Sequence, residues 1–358
     1  MKLSACMIVK NEEEMLRRTL PDLAKSVDEV ILVDTGSGDG TVEFAKSCGA
    51  RVFHFAWVDD FSAARNESLK YATGDWIIWI DADECLKPES AADVKKLLQN
   101  TSEDSCSIPV YECPLGTFEP ASFYYRVKIF RNGKGVYFKR PFNEQICGQD
   151  GKVLGGKLIK DAPLYHWGNF KQGADKEKKK ERNIAMLKKL LEKFPNDVNY
   201  HFHLGNDLKE IAAHEEAIKE YDCVIRLNTD ARLLPFAHSF KAVSYLLLKQ
   251  GKRAYQAAVE ALKLDKNNCW ALNVLGSLLL SNNHLAEAID VLKQSASVEP
   301  PATDEWTFFS SQQRDYVANF LLGDAYLKKG EKQEAQKALQ AARNYEATPE
   351  VMEKLKWV

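Results

Sequence analysis

"WIIWIDADECL", Trp76–Leu86, drives five bulky apolar residues straight into three acids, Asp81, Asp83 and Glu84. A buried carboxylate is costly unless it is paired or holds a metal. Three readings compete. In the first, the strand ends at the surface and its acids meet water. In the second, the acids open a calcium loop. That loop needs acids at positions one, three and five and glycine at six, and here Cys85 and Leu86 fill the fifth and sixth, which excludes it. In the third, an acid-x-acid pair at the carboxyl end of a strand holds a divalent cation carried by a phosphate-bearing ligand. Ligands of open α/β sheets bind outside those strand ends. The motif alone leaves the first and third readings open.

Upstream of the motif the chain alternates strand and helix. The apolar runs predict strands at Leu3–Val9, Glu29–Val33, Arg51–Phe55 and Trp76–Ile80. Helical spacing predicts helices at Glu12–Lys25, Thr41–Cys48, Ser62–Ala72 and from Pro88 to about Gln99. Uninterrupted apolar strands are covered on both faces, as in a parallel sheet. This alternation predicts a doubly wound α/β domain. A second strand also ends in an acid, Asp34 in "VDTGSGDGT". Its glycines do not match a dinucleotide loop: the spacing is not G-x-G-x-x-G, and they follow the second strand. A tight turn with Asp39 or Thr41 capping the next helix accounts for Gly38 and Gly40.

After residue 100 the alternation stops. Ser107–Glu112, Tyr124–Arg131, Val136–Phe138 and Leu158–Tyr165 read as strands of a mostly antiparallel extension. Isolated polar residues sit among its aromatics: Arg126, Lys128, Arg131, Asn143, Glu144 and His166.

The chain as a whole narrows the functional classes. At 358 residues it has room for two or three domains. Lys+Arg is 49 against Asp+Glu at 51, so no charge excess points to a nucleic-acid partner. No apolar stretch reaches the roughly 18 residues of a membrane span. The opening "MKLSACMIVKNEEE" reads as a first strand rather than a secretory signal. Eight scattered cysteines without a CxxC pair suit a reducing compartment, and a cytoplasmic protein is expected.

Three blocks, "ACMIVKNEE", "VILVDTGSGDGT" and "FSAARNESLKYATGDWIIWIDADE", together resemble glycosyltransferase family 2 with the GT-A fold, over about residues 3–170. Within that family the chain is similar to bacterial members with C-terminal tetratricopeptide repeats, among them the peptide S-glycosyltransferases that modify bacteriocins. The resemblance implies a nucleotide-diphosphate sugar donor, with a UDP-sugar expected, and a divalent metal, Mn²⁺ or Mg²⁺. It places Val9, Lys10, Asn11, Glu12 and Asp34 around the base and ribose, with Arg65 and Asn66 also near the nucleotide. Asp81, Ala82 and Asp83 match the family's D-x-D. By analogy Asp83 binds the metal, and Asp81 serves the ribose or the metal through water. His166 in "LYHWGNF" matches the late histidine that the family often adds as a metal ligand. In "RPFNEQI" Asn143 stands where relatives carry histidine, and Glu144 is the candidate general base. One base without a covalent sugar–enzyme step implies inversion at the anomeric carbon.

The C-terminal half carries a repeat. Gly205 pairs with Ala217, Ala242 with Ala254, Gly276 with Ala288 and Gly323 with Ala335, each twelve residues apart, and the units are spaced by 37, 34 and 47. A period near 34 with small residues at these places predicts tetratricopeptide helical hairpins. The long last spacing holds the insertion Pro300–Gln313, whose Trp306, Phe308 and Phe309 are candidate contact residues on one face.

The expected organisation is a GT-A α/β domain at 1–170, a charged linker helix at 171–195 and an all-α repeat domain at 196–358. The expected activity is metal-dependent, inverting transfer of a hexose to a peptide or protein acceptor recruited by the repeats. One alternative has the repeats drive self-association while the acceptor is a lipid-linked sugar or a polysaccharide. The others are a non-catalytic scaffold and a nucleotidyltransferase releasing pyrophosphate.

Overall fold

The computed structural model of the chain describes residues 1–119, 122–168, 174–299, 310 and 312–358. These form two compact units, one within residues 1–168 and one starting with the helix at residue 174.

In the first unit, strands Leu3–Val9 (β1), Glu29–Asp34 (β2), Arg51–His54 (β3) and Trp76–Trp79 (β4) run parallel in the order β3-β2-β1-β4. Their apolar runs are explained by cover on both faces. Leu3, Ala5 and Met7, with Leu32 and Ile78, pack against Leu16, Leu20 and Leu23 of helix Glu13–Ser26 (α1) and Val94 and Leu98 of Pro88–Gln99 (α4). The alternate residues Cys6, Ile31, Ile77 and Trp79 face the opposite side. There they meet the helix Phe61–Leu69 (α3) and a ribbon of Tyr137–Lys139 (β8) and Gln145–Cys147 (β9). Parallel register brings the carboxyl ends of β1, β2 and β4 to one edge, so Asp34 and Asp81 lie on the same rim.

Beyond β4 the sheet becomes mixed. Ser122–Arg131 (β7) is antiparallel to both β4 and Ser105–Glu112 (β6). Leu164–His166 (β11) runs parallel to β6 and antiparallel to Glu84–Leu86 (β5), giving the full order β3-β2-β1-β4-β7-β6-β11-β5. The expected single strand Leu158–Tyr165 is two short ones, Lys157–Leu158 (β10) and β11. Pro163 lies between them and has no N–H for a ladder. The three-residue strands β5 and β9 were not legible as separate strands. β5 matters most, because with β11 it sets His166 across from Glu84 on one side and Glu112 on the other.

The second unit is a stack of helical hairpins: Val198–Glu210 with His214–Leu227, Leu234–Leu247 with Gly251–Leu264, Cys269–Ser281 with Leu285–Ala296, and Asn319–Lys329 with Lys332–Tyr345. The small residues act where the period places them. A Cβ on Gly205 would fall 2.7 Å from the Tyr221 ring, and one on Gly276 or Gly323 would collide with Leu292 or Leu339. Ala217, Ala254, Ala288 and Ala335 are fully buried. Helix Ala174–Lys193 is more than a solvated connector. Its Met186, Leu187 and Leu190 are buried, and Lys180 pairs with Asp207 at 2.7 Å and Glu210 at 2.8 Å. Trp306, Phe308 and Phe309 lie outside the described residues.

One ion pair here gives a pH prediction. His201 holds Glu220 through Nδ1 at 2.6 Å and the Pro195 carbonyl through Nε2 at 3.0 Å. Burial works against its charge, but the bonds to Glu220 and Pro195 outweigh burial and raise its pKa above 6.5. A raised folded-state pKa contributes stability that is complete below pH 6.5 and is lost as pH climbs through the raised value. The melting-temperature gap between wild type and His201→Gln should therefore be a few degrees at pH 6, from roughly 1–2 kcal/mol, and shrink as the pH is raised through the elevated pKa. A gap that is constant or widens with pH contradicts this assignment.

Candidate functional site

The strand β4 ends in a closed turn. The Glu84 N–H donates to the Asp81 carbonyl at 3.0 Å, and the Asp81 N–H donates back to the Glu84 carboxylate at 2.8 Å. The Ala82 carbonyl accepts from the Thr19 hydroxyl at 2.9 Å, and the Asp83 carbonyl from the Trp167 N–H at 2.9 Å. The buried backbone groups are thus satisfied, and the turn is fixed with its acids on defined sides.

Glu84 points inward. Lys128 of β7, fully buried, donates to both its oxygens at 2.6 and 2.7 Å and lies 3.5 Å from the centre of the Trp79 ring. Burial pushes Glu84 up and Lys128 down. Removing one partner of such a pair typically costs about 3–5 kcal/mol. The third acid of the motif is therefore a structural anchor for the turn.

Asp81 faces α3. Arg65 donates to Asp81 at 2.8 Å through one guanidinium nitrogen and to Glu144 at 2.8 Å through Nε, while its guanidinium carbon lies 4.5 Å from the centre of the Trp79 ring. Burial raises the Asp81 carboxyl, but Arg65, Lys128 and Arg126 outweigh it and hold it below the ordinary range. Burial would lower Arg65, and its two carboxylates raise it instead. The result is a charged Asp81–Arg65–Glu144 chain across the rim. Asn143, just before Glu144, takes a left-handed backbone at φ 52°, which aims the loop.

Asp83 faces the other way, toward His166. His166 Nε2 is 3.5 Å from the Asp83 carboxylate, and its Nδ1 is 2.9 Å from Glu112. Burial works against the imidazolium, yet the bonds to Asp83 and Glu112 bring its pKa up to about 10. Glu112 fixes the ring so that Nε2 faces Asp83, the arrangement of metal-binding histidines. Gly168 completes the surroundings: a Cβ there would collide with the Asp83 carboxylate and fall 2.6 Å from His166 Nε2. Only a residue without a side chain can approach this nitrogen and oxygen so closely. Among the described residues no three His, Cys, Asp or Glu side chains gather as metal ligands. Asp81 is turned to Arg65 instead. The donors present fit a divalent cation that takes most of its ligands from phosphate and water.

The β1 edge and the glycine loop clasp one another. Asn11, left-handed at φ 54°, accepts from the Gly38 N–H at 2.7 Å and donates its own N–H to Ser37 at 2.9 Å. Glu12 N–H bonds Thr41, and the Val9 carbonyl accepts from Thr35. Asp34, 4 % exposed, accepts from the Gly36 and Ser37 N–H groups and meets His54 at 3.3 Å. Lys10 is exposed at the same edge. Asn66 goes elsewhere: its amide both donates to and accepts from the Phe138 backbone, at 2.8 and 2.7 Å, and so clamps β8 to α3.

Lys128, Glu112 and Gly168, which touch Glu84, His166 and Asp83, were not assigned to the candidate site from the sequence. The sequence signal for the first was a lysine inside an aromatic strand.

Residues 4–154 match the glycosyl transferase family 2. A glycosyltransferase of Bacillus subtilis, the SPbeta prophage-derived SunS, is 30 % identical over 219 residues, covering 59 % of this chain and 50 % of SunS. A TPR repeat-containing protein of Synechococcus elongatus is 39 % identical over 146 residues, covering 40 % of this chain and 35 % of that protein. The chain thus spans between about a third and a half of these curated relatives' length. The crystal structure of MamA superposes with a TM-score of 0.37 and 23 % identity, covering 49 % of this chain and 96 % of MamA.

Proposed function

We propose that this chain, which carries a glycosyl transferase family 2 domain at residues 4–154, moves a hexose from a nucleotide-diphosphate sugar to a peptide or protein acceptor. The expected donor is a UDP-sugar, and the eight unpaired thiols suit work in the reducing cytoplasm. The observation that carries the reading is the pairing of Asp83 with His166, whose ring Glu112 orients, beside the charged Asp81–Arg65–Glu144 chain. A divalent cation, Mn²⁺ or Mg²⁺, would be held there by Asp83 and His166 and would supply charge to the departing diphosphate.

The chain's own groups have distinct roles in this reading. Asp34 and the clasp of Asn11 with the glycine loop form a rim for the nucleoside. Asp81, kept ionised by Arg65, offers its remaining acceptor capacity to a ribose hydroxyl. Glu144 takes the acceptor's proton as sugar transfer proceeds, a task one positioned carboxylate performs. Arg65 steers both carboxylates and keeps them apart. The repeat unit recruits the acceptor, since stacked helical hairpins offer extended surfaces for peptides.

The test is product analysis of the full chain with UDP- and GDP-sugars and manganese. Release of the nucleoside diphosphate supports transferase chemistry. No turnover with any donor, or pyrophosphate released when the chain is instead given UTP or GTP with a sugar 1-phosphate, contradicts it.

Gly168→Ala probes the site without touching a ligand. The added methyl must displace Asp83 or His166, and misplacement on this scale costs about 10²-fold in rate. Manganese binding in the presence of UDP, followed by electron paramagnetic resonance, should weaken in parallel. Binding equal to wild type in a well-folded variant would count against a cation held by Asp83 and His166.

A further inference from the structure

Three cations surround one indole at the floor of the site. Arg65, Arg126 and Lys128 lie 4.5, 4.7 and 3.5 Å from the Trp79 ring centre. Trp79 is itself fixed, buried and donating Nε1–H to the Val127 carbonyl at 2.8 Å. Two of the three cations are committed: Arg65 to Asp81 and Glu144, and Lys128 to Glu84. Arg126 has no hydrogen bond or ion pair among the described residues, and its contact is the face of Trp79. It is half-buried, so its guanidinium reaches solvent with five N–H donors unspent.

Its position follows from register. β4 and β7 pair antiparallel through Trp76↔Arg131, Ile77↔Phe130 and Ile78↔Ile129. Continued three residues, that register sets Arg126 across from Asp81. Contact with the Trp79 face restrains the guanidinium and reduces the entropy that a free side chain would lose on binding. The arrangement is a preformed fork for an oxyanion, set beside the Asp81–Asp83 turn.

We infer that Arg126 is a further catalytic residue, binding the diphosphate oxygens of the donor and staying on the leaving nucleoside diphosphate. The inference rests on the transferase reading above. In the transfer, a bond forms between the acceptor's oxygen or sulfur and the sugar's anomeric carbon. The bond from that carbon to the diphosphate oxygen breaks, and its electron pair stays on the oxygen. The acceptor's proton passes to Glu144. Negative charge on the diphosphate grows as the bond breaks, so a fixed guanidinium donor binds it more strongly in the transition state than in the ground state. Arg suits this better than Lys because its planar fork matches paired phosphate oxygens.

The probe is inorganic pyrophosphate with Mn²⁺, then UDP, titrated calorimetrically into the full chain and into Arg126→Ala and Arg126→Lys. Loss of charge-assisted bonds should weaken pyrophosphate and UDP binding by roughly 10–100-fold in the alanine variant. Lysine should restore part of the loss. The donor's kcat should fall more than its KM rises, which a merely structural role would not produce. If alanine lowers the melting temperature, Arg126→Gln carries the same comparison in a chain that keeps its fold. Wild-type affinity for pyrophosphate in the alanine variant overturns the inference alone. So does a defect confined to the acceptor's KM, which would assign Arg126 to an anionic acceptor. A wild-type chain that binds neither probe overturns it together with the transferase reading.

Discussion

Replacing Asp83 with alanine should abolish manganese-dependent binding of the sugar nucleotide, with a loss of at least roughly 100-fold in affinity. Transfer should fall by about 10²–10³-fold or more, the scale for losing one element of charge stabilisation. The fold should survive, because the Asp83 side chain sits at the rim beyond the turn and the turn's bonds are made by backbone groups, Thr19 and Glu84. His166 would keep Glu112 as its partner. Titration of the variant with a donor in manganese, alongside its melting curve, checks both halves. A variant that binds the donor as tightly as wild type refutes the role given to Asp83.

Glu144→Gln should leave donor affinity close to wild type and cut transfer to a hydroxyl acceptor by roughly 10²–10⁴-fold, the usual cost of losing a general base. The structure adds a condition. Glu144 Oε1 accepts from Arg65 Nε at 2.8 Å, so the base works through its second oxygen. The amide oxygen of glutamine can still accept from Arg65, so Asp81 keeps its partner. A thiol acceptor would blunt the effect, since it ionises far more readily than a hydroxyl. Steady-state rates on matched serine and cysteine peptides separate these cases. Undiminished turnover on the hydroxyl acceptor would take Glu144 out of the mechanism and leave it as a support for Arg65.

The parts of the fold that were legible are those in which each strand or helix declares itself. Consecutive apolar residues in β1, β2 and β4 require cover on both faces, and the sheet supplies it with α1 and α4 on one side and α3 on the other. The repeat was legible because a missing side chain recurs where helices touch, as at Gly205 against Tyr221. What stayed hidden depends on pairs distant in sequence. Lys128 and Glu84 are 44 residues apart, and Glu112 and His166 are 54 apart. Nothing local in "YYRVKIF" says that Lys128 points inward rather than to water. Glu112 becomes a partner of His166 only once β11 docks beside β6.

Asn66 shows a different limit. It adjoins Arg65 in the motif, but neighbouring residues on a helix point about 100° apart. Arg65 faces the site while Asn66 faces the β8 backbone. Asp81 and Asp83 separate for a related reason. The turn between them sends one toward α3 and the other toward β11, so the two acids of one short motif serve different partners.

In the function we propose, Asp83 and His166 hold a divalent cation through which this chain engages a nucleotide-diphosphate sugar. Its most direct test is the melting temperature of the wild-type chain with a panel of sugar nucleotides, in manganese and in chelator. Binding to the folded state stabilises by mass action, by about 2.7 kcal/mol at a hundredfold excess over Kd. The melting temperature should rise by several degrees with at least one donor in manganese, with no rise in chelator or with either component alone. Equal shifts in manganese and chelator, or no shift with any donor, would contradict it.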